Sequence, residues 1–462
     1  APLVLRAMDN PIVAYFSRYY KKLRGGGMEA ALTRKAGIAV TINVIGAMVA
    51  VFVQILLARM LGATAFGEYG YALTWVMLLT VACKFGLDTA TLRFLPQYST
   101  TGQLSLLRGY VRWSSVIALG VSSAIATAMM LVIKMQSPSE PDLQSVFYLA
   151  ALVLPLGVYL MLQGSRLQAF QHIAWSQIPQ VILRPLFVAT IVCLAIGLSS
   201  GPISAQTAML AQIASTVACV VILFVGLRKV LPREIVSGGN TYDRASWIGV
   251  VVPLVMISVF DTLLNQTDVL AIGMLLSTSQ AGVYIAASKI SLMVPMPIIF
   301  VNSVIAPTIA RLYTEGRVVH LQRMLTRVAW GSVAVAIPMC LGIILCSGWL
   351  LRLFGAQFEA GQNALVILTV GRLLVATTGS VGYLMSMSNH HREAAIILGL
   401  TSLANVIMCG LLIPRFGIEG AAFSTSVSMV SWSAIMVAVA YKLTGITAAI
   451  ISPGLFGRRV SE

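Results

Sequence analysis

The stretch GIAVTINVIGAMVAVFVQILLA, residues 37–58, carries no charged side chain over 22 positions. A helix needs about 20 apolar residues to cross the hydrocarbon core of a bilayer, so this stretch has the length of one transmembrane helix. Similar uncharged runs recur along the chain, and the clearest of the others are 113–133, 143–165, 328–351, 394–414 and 420–441. The run between Arg166 and Arg228 holds a single charge, Arg184, and a break at residues 199–202 divides it into two spans.

The composition agrees with these runs. Of the 462 residues, 58% are hydrophobic and 10% are charged, whereas a soluble domain carries about 25% charged residues. This excludes a soluble enzyme, a disordered chain and a nucleic-acid-binding module. Backbone groups in lipid must be hydrogen-bonded internally, and the runs do not alternate as barrel strands do. We therefore predict an all-α polytopic membrane protein with about twelve transmembrane helices.

The basic residues predict the orientation of these helices. If the N-terminus lies inside, 24 of the 31 Lys and Arg residues fall in inside segments, four in outside segments and three within spans. Basic residues collect on the cytoplasmic side, so both termini are expected in the cytoplasm. The outside loops are short, and the longest, around residues 134–142, leaves no room for an external catalytic domain.

The chain divides into two halves at its most polar internal stretch. Six spans precede residues 228–246 and six follow, which predicts two six-helix lobes related by a pseudo-two-fold axis along the membrane normal. The expected organisation is a basic cytoplasmic N-terminal segment (1–36), an N-lobe with spans 1–6 (37–227), a cytoplasmic linker (228–246), a C-lobe with spans 7–12 (247–441) and a cytoplasmic C-terminal tail (442–462). Within the first segment, residues 1–27 stay undecided between a native and a non-native extension, and no signal peptide is convincing.

A short sequence echo supports the repeat. Residues 60–69 read MLGATAFGEY, and residues 274–284 read MLLSTSQAGVY. Both contain Met-Leu, a short polar turn and then Gly-x-Tyr. We expect the glycine to permit a tight turn and the tyrosine to lie at the membrane interface.

Five stretches together resemble a known family. They are ARMLG (58–62) with GEYG (67–70); GL (86–87) with RFLPQY (93–98); DVLAIG (268–273) with AGVY (281–284) and AASK (286–289); AP (306–307) with RLY (311–313) and LFG (353–355); and LIPRFGIEGAA (412–422). In this order they are similar to the polysaccharide transporter (oligosaccharide flippase) branch of the multidrug/oligosaccharidyl-lipid/polysaccharide (MOP) flippase superfamily. The resemblance covers nearly the whole chain, although no single stretch is specific alone.

The resemblance implies a transporter rather than an enzyme. Its expected activity is flipping of undecaprenyl-pyrophosphate-linked oligosaccharide by alternating access, for surface polysaccharide biosynthesis at the bacterial cytoplasmic (inner) membrane. The expected partners are the lipid-linked oligosaccharide, membrane lipid, H⁺ or Na⁺ as a coupling ion and a polysaccharide polymerase complex, without nucleic acid, cofactor or metal. Two alternatives remain open. One is a cation-coupled multidrug antiporter of the same superfamily, and the other is a membrane-embedded polymerase or glycosyltransferase.

Three basic side chains lie within predicted spans: Arg184, Lys289 and Arg372. Charges at membrane depth are costly and usually face a cavity or a partner. A cavity lined by these cations would neutralise the pyrophosphate of a lipid head group. The alternative is structural: Lys289 pairs with Asp268 or Asp261, and the two arginines cap carbonyl groups between helices.

Other charged residues have weaker interpretations. Asp261 is a candidate coupling site for a proton or cation, or one half of a fixed ion pair. Asp268 is expected near the outer surface in a structural role. Arg59 and Glu68 flank the first outer hairpin, where they form either a gate or a solvated loop pair.

Two cations mark the cytoplasmic end of the second span. Lys84 and Arg93 could meet the incoming head group. The tendency of basic residues to stay in the cytoplasm accounts for both equally well.

Overall fold

The computed structural model describes residues 28–136, 141–198, 203–230, 239–388 and 390–450. Within these ranges the regular secondary structure is helical, and no residue is in a strand. Eight of the described helical segments are long and apolar enough to cross a membrane. The prediction of an all-α membrane protein is confirmed, and the count of twelve spans stays a prediction. The expectations for residues 1–27 concern positions outside the described ranges.

The helices of the N-terminal half begin with one of 57 residues. In chain order they are α1 (Met28–Lys84), α2 (Leu87–Thr100), α3 (Leu104–Gln136), α4 (Pro141–Ala169), α5 (Ile173–Ile178), a π-helix (Pro179–Leu183), α6 (Arg184–Leu198) and α7 (Ala205–Val230). At about 1.5 Å per residue, α1 is far longer than a bilayer core of about 30 Å. It contains a kink at Gly62, whose φ of 73° is a left-handed value that glycine adopts without strain.

The helices of the C-terminal half end with one of 54 residues. They are α8 (Arg244–Leu275), α9 (Thr278–Ser291), α10 (Met296–Thr314), α11 (Val318–Leu345), α12 (Ser347–Arg352), a 3₁₀-helix (Ala356–Gly361), α13 (Gln362–Ala376), α14 (Val381–Met387) and α15 (His391–Thr444). The chain folds back within α15 at Gly417, where φ is 61°. A Cβ on Gly420 would lie 2.5 Å from the Leu412 carbonyl oxygen, which shows how close the two arms run there.

The described residues divide into two compact units. Within the described ranges, one comprises residues 28–53 and 75–259, and the other comprises residues 54–74 and 260–450. The outer part of the first hairpin therefore groups with the C-terminal half, and the first half of α8 groups with the N-terminal half. This division is based on contacts between residues, and its boundaries differ from the lobe boundaries expected from the sequence.

In the first unit, α4 packs against α2, α3 and α7. The start of α8 is anchored beside them by Trp247, which is fully buried and donates from Nε1 to the Tyr98 hydroxyl at 2.9 Å. Its ring lies 5.1 Å from that of Trp113 and 5.3 Å from that of Tyr110. Aromatic packing of this kind holds the described end of the linker on the first unit.

In the second unit, α13 is the central helix, because it packs against α9, α11 and α15. The two echo segments meet in this unit. A Cβ on Gly282 would lie 2.5 Å from the Ala63 carbonyl oxygen and 2.9 Å from the Gly67 Cα, so the absence of side chains lets the backbones touch. The expected roles of these motifs are therefore wrong in detail: the glycines serve helix packing rather than a turn, and Tyr284 is fully buried.

Candidate functional site

The structure distributes the three predicted intramembrane cations over both units. Arg184 is the first residue of α6, directly after the π-helix, and it is half-buried in the first unit. Lys289 lies in the last turn of α9, and Arg372 lies in α13. The second unit therefore brings two of the three together on adjacent packed helices.

Lys289 and Arg372 form a pair of like charges, and both side chains are half-buried. Arg372 donates from Nε to the Ser291 hydroxyl at 2.9 Å, which ties α13 to the end of α9. Across the described ranges Lys289 has neither a hydrogen bond nor an ion pair, and it lies close enough to Arg372 to be repelled by it. Among the described residues neither cation forms an ion pair, although Asp268 attracts both.

Asp268 is the acid nearest to these cations, but it is not their ion-pair partner. Its side chain is 2% exposed, and its carboxylate accepts hydrogen bonds from the Tyr284 hydroxyl at 2.7 Å and the Thr425 hydroxyl at 3.2 Å. The Val269 N–H donates to the other carboxylate oxygen at 2.8 Å. The carboxylate thus joins α8, α9 and α15. No described Lys or Arg nitrogen lies within 4.0 Å of it, so the structure does not show the alternative in which Lys289 and Asp268 form an ion pair, although Asp268 attracts Lys289.

Asp261 is also outside any ion pair among the described residues. Its side chain is exposed, and its hydrogen bonds come from Asn265, which donates to its carbonyl oxygen at 2.8 Å and to Oδ1 at 3.5 Å. The alternative in which Lys289 pairs with Asp261 is therefore not seen among the described residues either. A role in ion coupling stays a prediction.

Arg59 fastens the first hairpin to a neighbouring segment of the same unit. It donates from Nε to the Leu353 carbonyl at 2.6 Å and from Nη2 to the Arg352 carbonyl at 3.5 Å. One turn later, the Ala63 N–H donates to the Gln357 side chain at 3.1 Å. The expectation of a merely solvated Arg59 therefore misses a packing contact. Glu68 is half-buried in α1, and a gate stays a prediction.

The two candidate entry residues differ in their surroundings. Lys84, at the end of α1, forms an ion pair at 2.8 Å with Asp88 in the first turn of α2. Arg93 is exposed, and its guanidinium lies 5.8 Å from the centre of the Phe94 ring. Arg93 is thus the better placed of the two to meet an anion.

The sequence reasoning missed a buried arginine in the first unit. In the sequence Arg166 only bounds an uncharged run, yet its side chain is 2% exposed in the structure. Its Nη2 donates to the Val111 carbonyl at 2.8 Å and to the hydroxyls of Ser114 at 3.0 Å and Ser115 at 2.7 Å. In the described part of the chain it forms no ion pair. An arginine at the end of a span looks the same whether it is buried or solvated, so no sequence signal could have found this bridge between α3 and α4.

The chemistry available at the Lys289–Arg372 pair is anion binding. Both groups only donate hydrogen bonds, and a guanidinium offers the forked geometry that phosphate oxygens accept. Ser291 adds a hydroxyl beside them. Across the described residues, no three His, Cys, Asp or Glu side chains come together as metal ligands would.

Comparisons with known proteins agree with this architecture. The family model described as "Polysaccharide biosynthesis protein" matches residues 32–313. A probable flippase, AglR of Haloferax volcanii, is 31% identical over 166 residues, which are 35% of this chain and 35% of that protein. The chain thus spans about a third of the length of this relative.

Two solved structures share the fold. An inward-facing multidrug resistance MATE family transporter of the MOP superfamily superposes with a TM-score of 0.71 at 13% identity, covering 89% of this chain and 98% of the other. The lipid II flippase MurJ, in an inward closed conformation, superposes with a TM-score of 0.68 at 12% identity, covering 87% of each chain. These likenesses place the chain among MOP-type folds.

Proposed function

The chain belongs to the polysaccharide biosynthesis protein family, and from that premise we propose that it is a transporter that flips a lipid-linked oligosaccharide across the cytoplasmic membrane. A relative named as a probable flippase supports this activity. A solved structure of the same fold is named as a lipid II flippase, which supports a lipid-linked substrate. The substrate that we propose is an undecaprenyl-pyrophosphate-linked oligosaccharide destined for a surface polysaccharide.

The observation that carries the proposal is the pair of cations Lys289 and Arg372, which has no ion-pair partner among the described residues although Asp268 attracts both from farther away. Removing a charge from water is costly, and the cost persists unless an opposite charge is nearby. Neither cation has an acidic partner within 4.0 Å among the described residues, so an incoming pyrophosphate would supply it. A site for cationic drugs would be expected to present acids instead.

The proposed cycle is alternating access with both termini in the cytoplasm. Arg93 meets the head group at the cytoplasmic side, Lys289 and Arg372 hold its pyrophosphate, and the prenyl tail stays in lipid. Arg184 in the first unit is a further candidate contact. Asp261 is the candidate for coupling to H⁺ or Na⁺, and a polysaccharide polymerase would take the product on the far side.

Reconstitution into liposomes tests the activity. The probe is a short fluorescent oligosaccharide on a prenyl pyrophosphate, and the readout is the rate at which its sugar becomes accessible at the opposite face. Losing one charge-assisted hydrogen bond costs about 1.5–3 kcal/mol, so Arg372→Ala is expected to slow flipping about 10- to 150-fold. The matched control is Arg323→Ala, which removes an exposed arginine from α11 and should leave the rate unchanged.

Two results would overturn the proposal. Flipping by Arg372→Ala at the rate of the unaltered chain would remove this residue from the head-group site. No flipping by any variant, together with proton-driven efflux of a cationic dye, would instead favour a multidrug antiporter.

A further inference from the structure

Residues 445–450, which follow the last long helix, pack against the second unit. Helix α15 ends at Thr444, and Gly445 adopts a left-handed φ of 70°, with its N–H donating to the Tyr441 carbonyl. The chain then turns back into the second unit. Ile446 and Ala448 are fully buried, and they join a hydrophobic cluster with Leu321 of α11. We call residues 445–450 the strap.

The strap is fixed to α11 through its backbone. The Thr447 N–H donates to Gln322 Oε1 at 2.8 Å, and Gln322 Nε2 donates back to the Thr447 carbonyl at 2.7 Å. One glutamine amide therefore satisfies both backbone groups of one residue, as a neighbouring β-strand would. The Thr447 side chain accepts a third bond from Gln322 Nε2, at 3.2 Å.

The strap also fills a break in the central helix of this unit. Between α13 and α14 the four residues Thr377–Ser380 are not helical, and Gly379 has a φ of 67°. The last carbonyl groups of a helix have no partner within it. The Ile450 N–H donates at 3.1 Å to the carbonyl of Thr377, the residue that caps the end of α13. The Ala448 carbonyl oxygen lies 2.0 Å from the position of a Cβ on Gly379, so the strap occupies the space that a side chain would need.

From these contacts we propose that the strap is a releasable lock on the α13–α14 break: docked, it holds the two helices in one alignment, and released, it lets them bend. A broken helix in a membrane needs its free backbone groups satisfied, and here the strap contributes to this. The large side chains of the strap are Ile446 and Ile450. Buried apolar contacts of Ile446 and Ala448 hold the strap in place, together with its hydrogen bonds to Gln322 and Thr377. Arg372 lies five residues before Thr377 on α13. Bending at the break would therefore move Arg372, which is a proposed head-group contact. This consequence rests on the proposed function, whereas the lock itself is independent of that function.

Cysteine labelling tests whether the strap docks. Thr447→Cys is placed in a chain whose six native cysteines are replaced, and its reaction with a maleimide is timed in membranes. Labelling should be slow with Gln322 present and about tenfold or more faster with Gln322→Ala, which removes both backbone bonds. The matched control, Arg323→Ala, changes the adjacent exposed residue and should have no effect. Thr447→Cys reacting at the rate of a single cysteine placed at the exposed position 315, after the end of α10, would overturn docking.

A distance measurement tests the lock. Nitroxide labels at Asn363→Cys on α13 and Tyr383→Cys on α14 would be about 30 Å apart along a straight helix. We expect one narrow distance population in the otherwise unaltered chain and in Arg323→Ala, and a second population in Gln322→Ala. Faster labelling at position 447 with an unchanged distance would show that the strap only packs, and would refute the lock.

A more conservative variant separates the loss of the Gln322 bonds from misfolding caused by Gln322→Ala. Gln322→Glu keeps an acceptor for the Thr447 N–H and loses the donor to the Thr447 carbonyl, so intermediate labelling and an intermediate second population are expected. Neither readout requires transport. A chain that flips no lipid but shows both changes would contradict the proposed function and support the lock.

Discussion

Replacing Lys289 by methionine should make the protein more stable and less active. The ammonium of Lys289 is half-buried without a hydrogen bond or ion pair to any described residue, so the folded state bears its desolvation cost. Methionine has a similar length and no charge. A residue held for function at the expense of stability should respond in this way.

The magnitude follows from the neighbouring charges. Two unit charges 4 Å apart interact by about 4 kcal/mol at an effective dielectric constant of 20, and less beyond that distance. Repulsion by Arg372 outweighs attraction by Asp268, so the neighbouring charges do not stabilise the ammonium. Desolvation remains, and replacing buried charge by apolar side chains stabilises proteins by about 1–4 kcal/mol. Because Lys289 keeps partial exposure, we expect a gain of about 1–3 kcal/mol for Lys289→Met.

Thermal unfolding of the purified protein in one detergent, without added lipid-linked sugar, measures this gain. The matched control is Lys84→Met, because Lys84 has a 2.8 Å ion pair with Asp88 and similar partial burial. That change should cost about 0.3–0.5 kcal/mol, the opposite sign. Lys289→Arg keeps the charge and should not raise the midpoint. A midpoint for Lys289→Met below that of the unaltered chain would refute the reasoning, because it would mean that the ammonium has a stabilising partner.

Three further changes test the packing around the site. Gly67→Ala places a Cβ 1.9 Å from the Thr278 carbonyl oxygen, and overpacking against backbone should lower stability by about 1–3 kcal/mol in the same unfolding measurement. Gly410→Ala is the control, because Gly410 is a helical position with no atom within 4 Å of the new Cβ. This change should leave the stability unchanged or raise it by up to about 1 kcal/mol. Equal losses of stability at both positions would contradict the close contact of Gly67. Tyr284→Phe removes a 2.7 Å bond to a buried carboxylate and should cost about 1.5–3 kcal/mol, whereas an unchanged midpoint would show that the carboxylate does not need it.

Much of the fold can be predicted from the sequence because a bilayer imposes a strong constraint on it. Long uncharged runs such as Gly37–Ala58 must be helical in lipid, and the described part of the structure is helical there. The motif around Gly282 was also recognisable as important. The role of Gly282 could not be predicted, because a glycine that permits a turn and one that permits close helix packing look the same in a sequence.

The candidate site was predictable in its residue types and not in its contacts. A charge within a span is visible in the sequence, which is how Lys289 and Arg372 were found. Whether an acid pairs with them depends on side-chain directions across helices: Asp268 binds Tyr284 and Thr425 instead. The strap could not be predicted either, because its contact with Gln322 joins residues 125 positions apart.

The most direct test of the central claim is the affinity of the purified protein for two lipids with the same sugar and prenyl chain, one linked by pyrophosphate and one by monophosphate. If Lys289 and Arg372 together hold the pyrophosphate, the dissociation constant should be at least about tenfold lower for the pyrophosphate lipid, as expected from one additional charge-assisted contact. The difference should disappear in the double variant Lys289→Met/Arg372→Ala. Equal affinities in the unaltered chain, or a preference that survives in the double variant, would contradict an anion site at this pair.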